Sequence, residues 1–286
     1  LGAALVAPVD ALAAEAAKGE PEKFEPLKEF LLHPYFSIPV GPFDFGPSKA
    51  VVYMVIAAIL TIILGLWVSR GGLKREPGKV QTVVEMVYGF TDTGIARTTL
   101  PQKYFSTWFT YLASLFTFIW ILNLISFIPL PFDTEHPFLG ISWIPGPAIY
   151  AATSSLSVTL ALTIMSLGIA HYLGVKAQGP VGYVKSWVPD APGPLKPVLA
   201  VLETLSQLLR FVSLSVRLFA NMLAGHALII LCASFAIVVG NYLGLALMPM
   251  AIVFYIFEVG LVASLQAYIF ALLSGIYIAG AVEAHH

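Results

Sequence analysis

Forty-three consecutive residues, Val198 to Gly240, contain no proline and carry apolar side chains on both sides of a central arginine, Arg217. Wound as one α-helix, this stretch would be about 64 Å long at 1.5 Å per residue. The hydrocarbon core of a bilayer is only about 30 Å thick. Such a rod must break, tilt steeply or lie along the membrane plane. A charged side chain near the bilayer centre is costly, so it pairs or faces water and marks a functional site. A long slanted helix with a cation at its middle predicts a surface past which an anionic group moves.

Composition says why a membrane is the setting. Of the 286 residues 58% are hydrophobic and 11% charged, with a mean hydropathy of +0.85, whereas soluble domains average about 25% charged. The chain is a polytopic membrane protein. Its formal net charge of −1 is spread without a basic stripe, which excludes nucleic acid as a partner. Cys232 is the one cysteine, so no disulfide forms within the chain, and its apolar surroundings make it a small buried hydrophobe. The histidines at 285 and 286 read as a solvated terminus, and neither a metal site nor a cofactor is expected.

Residues 1–47 run from an Ala-rich opening through GEPEKFEPLKEF to the Pro-rich HPYFSIPVGPFDFGP. Recurrent proline stops any helix there, and the segment is predicted to lie outside the bilayer as an extension to a membrane domain over 48–286. The first span is predicted at about 50–68. Arg70, Lys74, Arg75 and Lys79 follow it and place that end on the inner face. Residues 80–100 are too polar to cross, but Val80, Val83, Val84 and Val87 recur at helical spacing and predict an interfacial amphipathic helix. A second span at about 105–128 closes on Pro129 and Pro131. The loop 129–147 after it holds Asp133, Glu135 and His136 but no Lys or Arg. A third span at about 149–172 returns to Lys176, Lys185 and Lys196, so the charge bias alternates consistently.

The helix over 198–240 then starts inside, and a turn near Gly240–Gly244 leads to a last apolar stretch over 245–281, with Pro249 as a kink. That arm would be roughly 55 Å long if wholly helical. The expected fold is therefore all-α: upright transmembrane helices plus a long, strongly tilted, near-horizontal helical hairpin. No inverted repeat of the kind built into transporters is visible.

On a helix advancing about 100° per residue, Glu203, Arg210, Arg217 and Asn221 share one broad face, while His226 lies about 180° from Arg217. Glu258 and Gln266 flank neighbouring faces of the last arm. This pattern fits proton relay. Arginine holds its proton permanently, where a desolvated lysine can lose its own. A carboxylic acid on a moving partner stays neutral in lipid and ionises when a cation comes opposite. His226 and Glu258 are groups that pass protons between such an acid and water. Arg210, Gln266 and Asn221 also serve as structural or interhelical hydrogen-bonding groups in such helices.

Beyond this reading, the segment SLSVRLFANMLAGH (213–226) resembles the signature around the essential arginine of subunit a of the rotary F-type ATP synthases. LQAYIFALLSGIYI (265–278) resembles that family's partner helix, and TSSLSVTLAL (153–162) and VKSWVPDAPGPLKP (184–197) are similar to it as well. The likeness covers residues 50–284 and excludes the N-terminal extension. It implies that Arg217 faces the c-ring, whose carboxylates carry the protons. Asn221 and Gln266 match positions near that arginine. The implied partners are the c-ring, peripheral-stalk and other membrane-sector subunits, the lipid bilayer and protons. His226 matches the histidine of mitochondrial and α-proteobacterial members, which pair it with a glutamate seven positions before the glutamine. Here Glu258 is eight before Gln266 and position 259 is valine, so a local bulge would be needed to restore the pairing.

The function the resemblance implies is that of a stationary proton-translocating subunit with two aqueous half-channels separated by Arg217. It is non-catalytic, since no GxxxxGK[ST] loop is present and nucleotide chemistry belongs to other subunits. The missing initiator Met and His226 together point to the mitochondrial inner membrane, with a bacterial plasma membrane as the alternative. The other functional class is an autonomous transporter or channel in which Arg217 binds an anionic substrate.

Overall fold

The computed structural model describes residues 39–40, 43–44, 48–70, 78–128, 130–137, 145–148, 150–187, 195–239 and 242–283. All of them belong to one compact unit, Leu32–His286. Most of the predicted N-terminal extension lies outside the described residues, as do the turn at 240–241 and the terminal 284–286. Within the extension, strands β1 (Pro39–Val40) and β2 (Phe43–Asp44) pair antiparallel.

Helix α1 (Lys49–Ser69) is uninterrupted by proline, which lets its run of Ala, Ile and Leu wind through the predicted first span. Ala50, Tyr53 and Ala57, at helical spacing, are buried. Val55, Ile59, Ile62, Ile63 and Leu66 are exposed on the rest of the surface. So large an apolar surface belongs against lipid or another subunit. Helix α2 (Lys79–Gly89) continues through a wide π turn (Phe90–Ala96) into the short α3 (Arg97–Thr99). Val80, Val83 and Met86 stay exposed, while Ile95 and Ala96 are fully buried.

Helix α4 (Phe105–Ile125) is followed by strands β3 (Leu130–Pro137) and β4 (Pro145–Ala148), an antiparallel pair within the predicted outer loop. A single 3₁₀ turn (Ala152–Ser154) leads into α5 (Leu156–Gln178). Gly179 then adopts φ +75°, a conformation that favours glycine, and Pro180 opens α6 (Pro180–Ser186) at its first position. This sharp reversal lays the Tyr183 ring in the space where a side chain on Gly174 would go.

Helix α7 (Lys196–Val239) is 44 residues long and unbroken, about 66 Å at 1.5 Å per residue. Helix α8 (Tyr242–Phe257) contains Pro249 without ending at it. The last arm is not uniformly α-helical, however. A π turn (Glu258–Val262) separates α8 from α9 (Ala263–Glu283). Among the described residues five segments are long and apolar enough to cross a membrane: Lys49–Val68, Phe105–Ile125, Leu156–Gln178, Lys196–Cys232 and Met248–Val282.

Helix α9 is the centre of the packing. It lies against both α4 and α5, while α1 packs on α4, α7 on α5, and α8 back on α7. Ala263, Ala267, Ala271 and Ser274 recur every three or four residues along its buried side. Small residues at this spacing let transmembrane backbones approach closely. Hydroxyls cross the same seam, with Ser166 Oγ 2.5 Å from Ser274 Oγ between α5 and α9. The fold is an all-α polytopic membrane protein.

Candidate functional site

Along the middle of α7 burial alternates with helical period. Leu214, Leu218, Met222 and His226 are buried against the rest of the chain. Ser213, Arg217, Ala220, Asn221 and Ala224 are exposed on the other face. The nine-residue spacing predicts that Arg217 and His226 point apart, and one is exposed while the other is 2% exposed. The Arg217 guanidinium makes a long hydrogen bond from Nη2 to Ser213 Oγ, at 3.4 Å, one turn back on the same helix. Among the described residues no carboxylate lies within ion-pair distance of it. Glu203, on the same broad face of the helix, instead meets Arg210.

On the buried side, His226 Nδ1 lies 3.2 Å from Glu258 Oε1. An ionised carboxylate can only accept, so in that state Nδ1 carries the proton and donates it to Glu258. Nε2 is buried and has no hydrogen-bond partner among the described residues. The imidazole also packs on the Phe127 ring, with centroids 4.7 Å apart. Phe127 forms a small apolar cluster with Ala151, Met222 and Ala263.

Two local features make the pair possible. Glu258 opens the π turn, whose one-residue widening accommodates the eight-residue spacing to Gln266. Gly225, beside His226, leaves room for the Glu258 carboxylate, which occupies the space a Cβ would need. Sequence reasoning missed Gly225 because nothing local distinguishes it from any other helical glycine. Gln266 is buried on α9, and Asn221 is exposed one turn beyond Arg217.

A second polar group lies toward the start of α7. Arg210 Nη2 is 3.7 Å from Glu203 Oε1, and Nη1 donates to Gln207 Oε1 at 3.2 Å. Its guanidinium lies 5.5 Å from the Tyr277 ring centroid. These side chains line a cavity of about 330 Å³ with His171, Tyr183 and Trp187. His171 Nδ1 is 2.7 Å from the Tyr183 hydroxyl, and the imidazole stacks on Phe211 at 5.8 Å. Burial pushes the Tyr183 phenol above its ordinary value, so it stays neutral beside the imidazole. No sequence signal linked His171 and Tyr183 to Arg210; α5 carries His171 against Phe211 of α7, and the Gly179–Pro180 reversal folds Tyr183 back to it.

The two groups lie about 24 Å apart along α7 by helical rise. The cavity adjoins the end carrying Lys176, Lys185 and Lys196, the inner side by charge bias. The His226–Glu258 pair adjoins the end of α4 and the 3₁₀ turn. Arg217 lies between them along α7, about 10 Å from Arg210 and 14 Å from His226 by helical rise. Among the described residues no group of three or more His, Cys, Asp or Glu is placed to hold a metal ion.

Comparison with known proteins adds an independent line. Residues 51–279 match the family model described as ATP synthase A chain. The ATP synthase subunit a of Maricaulis maris (strain MCS10) is 33% identical over 269 residues, covering 91% of this chain and 98% of that one. The subunit a of Dinoroseobacter shibae (strain DSM 16493 / NCIMB 14021 / DFL 12) is 32% identical over 263 residues, covering 92% and 96%. That of Brucella canis (strain ATCC 23365 / NCTC 10854 / RM-666) is 32% identical over 268 residues, covering 92% and 99%.

Proposed function

The chain belongs to the ATP synthase A chain family, and on that premise we propose how it works as the stationary proton-translocating subunit of a rotary ATP synthase. Protons reach the middle of the membrane from outside by way of His226 and Glu258. They load a carboxylate on a ring of c subunits that lies against the open face of α7. After rotation the carboxylate meets the inner path, the cavity beside Glu203 and Arg210, and releases its proton there. Arg217 sits between the two paths.

The observation that carries this reading is the division of α7 into two faces. The cation is exposed with no carboxylate in reach among the described residues, and the titratable pair is buried behind it. An exposed arginine in the apolar zone is untenable against lipid alone. A passing carboxylic acid would ionise beside it, giving its proton to the inner path, and the carboxylate would satisfy the guanidinium before moving on. Because arginine keeps its own proton, no proton crosses directly from one path to the other. Each charge carried through the potential releases about 2.3 kcal/mol per 100 mV, which ring rotation captures.

We also propose that α7 and the α8–α9 arm lie strongly tilted, since a helix of this length upright would extend far beyond the hydrocarbon on both sides. Peripheral-stalk and other membrane-sector subunits hold the chain still, and catalysis on nucleotide belongs to other subunits of the complex. The named relatives are bacterial, which supports the plasma-membrane alternative over the mitochondrial inner membrane. The test is reconstitution. The chain alone in liposomes conducts no protons, and adding the ring restores flux; flux of an anion through the chain alone would overturn the reading in favour of an autonomous transporter.

A further inference from the structure

The wide turn at Glu258–Val262 is bracketed by hydrogen bonds to the end of α4. Before the turn, the Tyr255 hydroxyl donates to the Phe127 backbone oxygen at 3.1 Å. Behind it, Asn123 Nδ2 donates to the Ala263 backbone oxygen at 3.3 Å. One residue on, Trp120 Nε1 donates to Ser264 Oγ at 3.0 Å. Ala263 is also the residue that closes the wide turn, since its N–H bonds the Glu258 carbonyl five positions back. Asn123 therefore holds the carbonyl of the residue whose N–H closes the bulge.

We propose that Asn123 is a positioning residue: by holding Ala263 it keeps the π turn wound and so aims Glu258 at His226. Asn123 is fully buried, and its amide orientation is dictated by its partners. Nδ2 must face the Ala263 carbonyl, which only accepts, and Oδ1 then takes the Thr153 hydroxyl at 3.0 Å. Thr153 is itself buried in the 3₁₀ turn. One side chain thus ties together α4, the 3₁₀ turn and the bulged helix. Single π turns are rare, because their hydrogen-bond geometry is poorer than that of an α-helix, and they persist where function requires them. An apolar residue at 123 would leave the segment free to relax towards regular α-helix. Relaxation over one turn rotates Glu258 away from His226.

The inference rests on the His226–Glu258 route proposed above, and its test separates the two. In the whole complex, Asn123→Leu, Thr153→Val, deletion of Val259, and the combination of the first and third are compared for ATP synthesis across outer pH. Asn123→Leu is expected to slow synthesis about tenfold, the cost of one unsatisfied buried hydrogen-bonding group, and to shift its outer-pH profile. Thr153→Val, which keeps the bond to Ala263, should retain the parental pH profile. Deleting Val259 removes the extra residue, so on that background Asn123→Leu should cost less than about twofold. An undiminished cost on the deletion background would overturn the proposal, as would an unshifted profile in Asn123→Leu with the wide turn intact.

A density map of the Asn123→Leu complex reads the turn itself, whatever the deletion does to assembly. A wide turn still intact in that map overturns the positioning role. A turn lost with transport unaltered upholds the positioning role and sinks the proton route instead.

Discussion

Glu258 Oε1 lies 3.2 Å from His226 Nδ1, although the two residues are 32 positions apart and Glu258 sits on a turn wound wider than its neighbours. The bond joins α7 to the bulged arm at a point where both side chains are almost wholly buried. Three things must hold for it to form: room at Gly225, a bulge at Glu258, and an imidazole steadied by Phe127.

Gly225→Ala is the sharpest probe of the first. A methyl there would occupy the position of the Glu258 carboxylate, and overpacking of this kind costs about 1–3 kcal/mol. The expected outcome is a complex that assembles but synthesises ATP at least several-fold more slowly, read as rate in inverted or reconstituted vesicles. Parental rates would show that the carboxylate has another resting place.

Substitution at Arg217 should act differently. Arg217→Ala is expected to abolish synthesis and leave the membrane leaky to protons, measured as decay of an imposed pH gradient. Arg217→Lys should fail as well, because a desolvated ammonium gives up its proton where guanidinium does not. Normal synthesis in either variant would refute the barrier role.

At the inner cavity the effects should be graded. Glu203→Gln leaves Arg210 its bond to Gln207 and its contact with Tyr277, so synthesis should slow several-fold and not stop. The check is the dependence of rate on inner pH, with outer pH held constant. A change in outer-pH dependence alone would place Glu203 on the wrong path.

Gly174→Ala tests whether the cavity wall matters. The Tyr183 ring occupies the site of the new methyl, so the ring must shift and the His171–Tyr183 bond break. A fall in thermal stability of the complex is expected, consistent with about 1–3 kcal/mol of overpacking, together with slower synthesis. Neither is expected for Gly168→Ala on the same helix, where nothing lies within 4 Å of the added methyl.

The facing of Arg217 and His226 was legible in the sequence because both sit on one unbroken helix, where counting residues gives angles directly. The long rod shows for a similar reason, since length and apolarity are local properties, whereas the third helix runs Leu156–Gln178 and not the expected 149–172. The π turn was visible only as a spacing of eight where seven was expected. What makes it hold depends on Asn123, Tyr255 and Trp120, and contacts across more than a hundred residues leave no periodic trace. The cavity was hidden more completely, since Tyr183 joins His171 and Arg210 only through the reversal at Gly179. The strands β3 and β4 fall in a Pro-rich loop whose pairing no alternation announced.

The open face of α7 has a mechanical meaning of its own. Ser213, Ala220 and Ala224 around Arg217 raise no tall ridges, and it is ridges settling into grooves that lock two helices at preferred angles. A cylinder turning against so smooth a strip would meet shallow barriers and no ratchet tooth. Its sense of rotation would then be chosen by charge and by which compartment is richer in protons, and the same bearing would serve equally well in reverse.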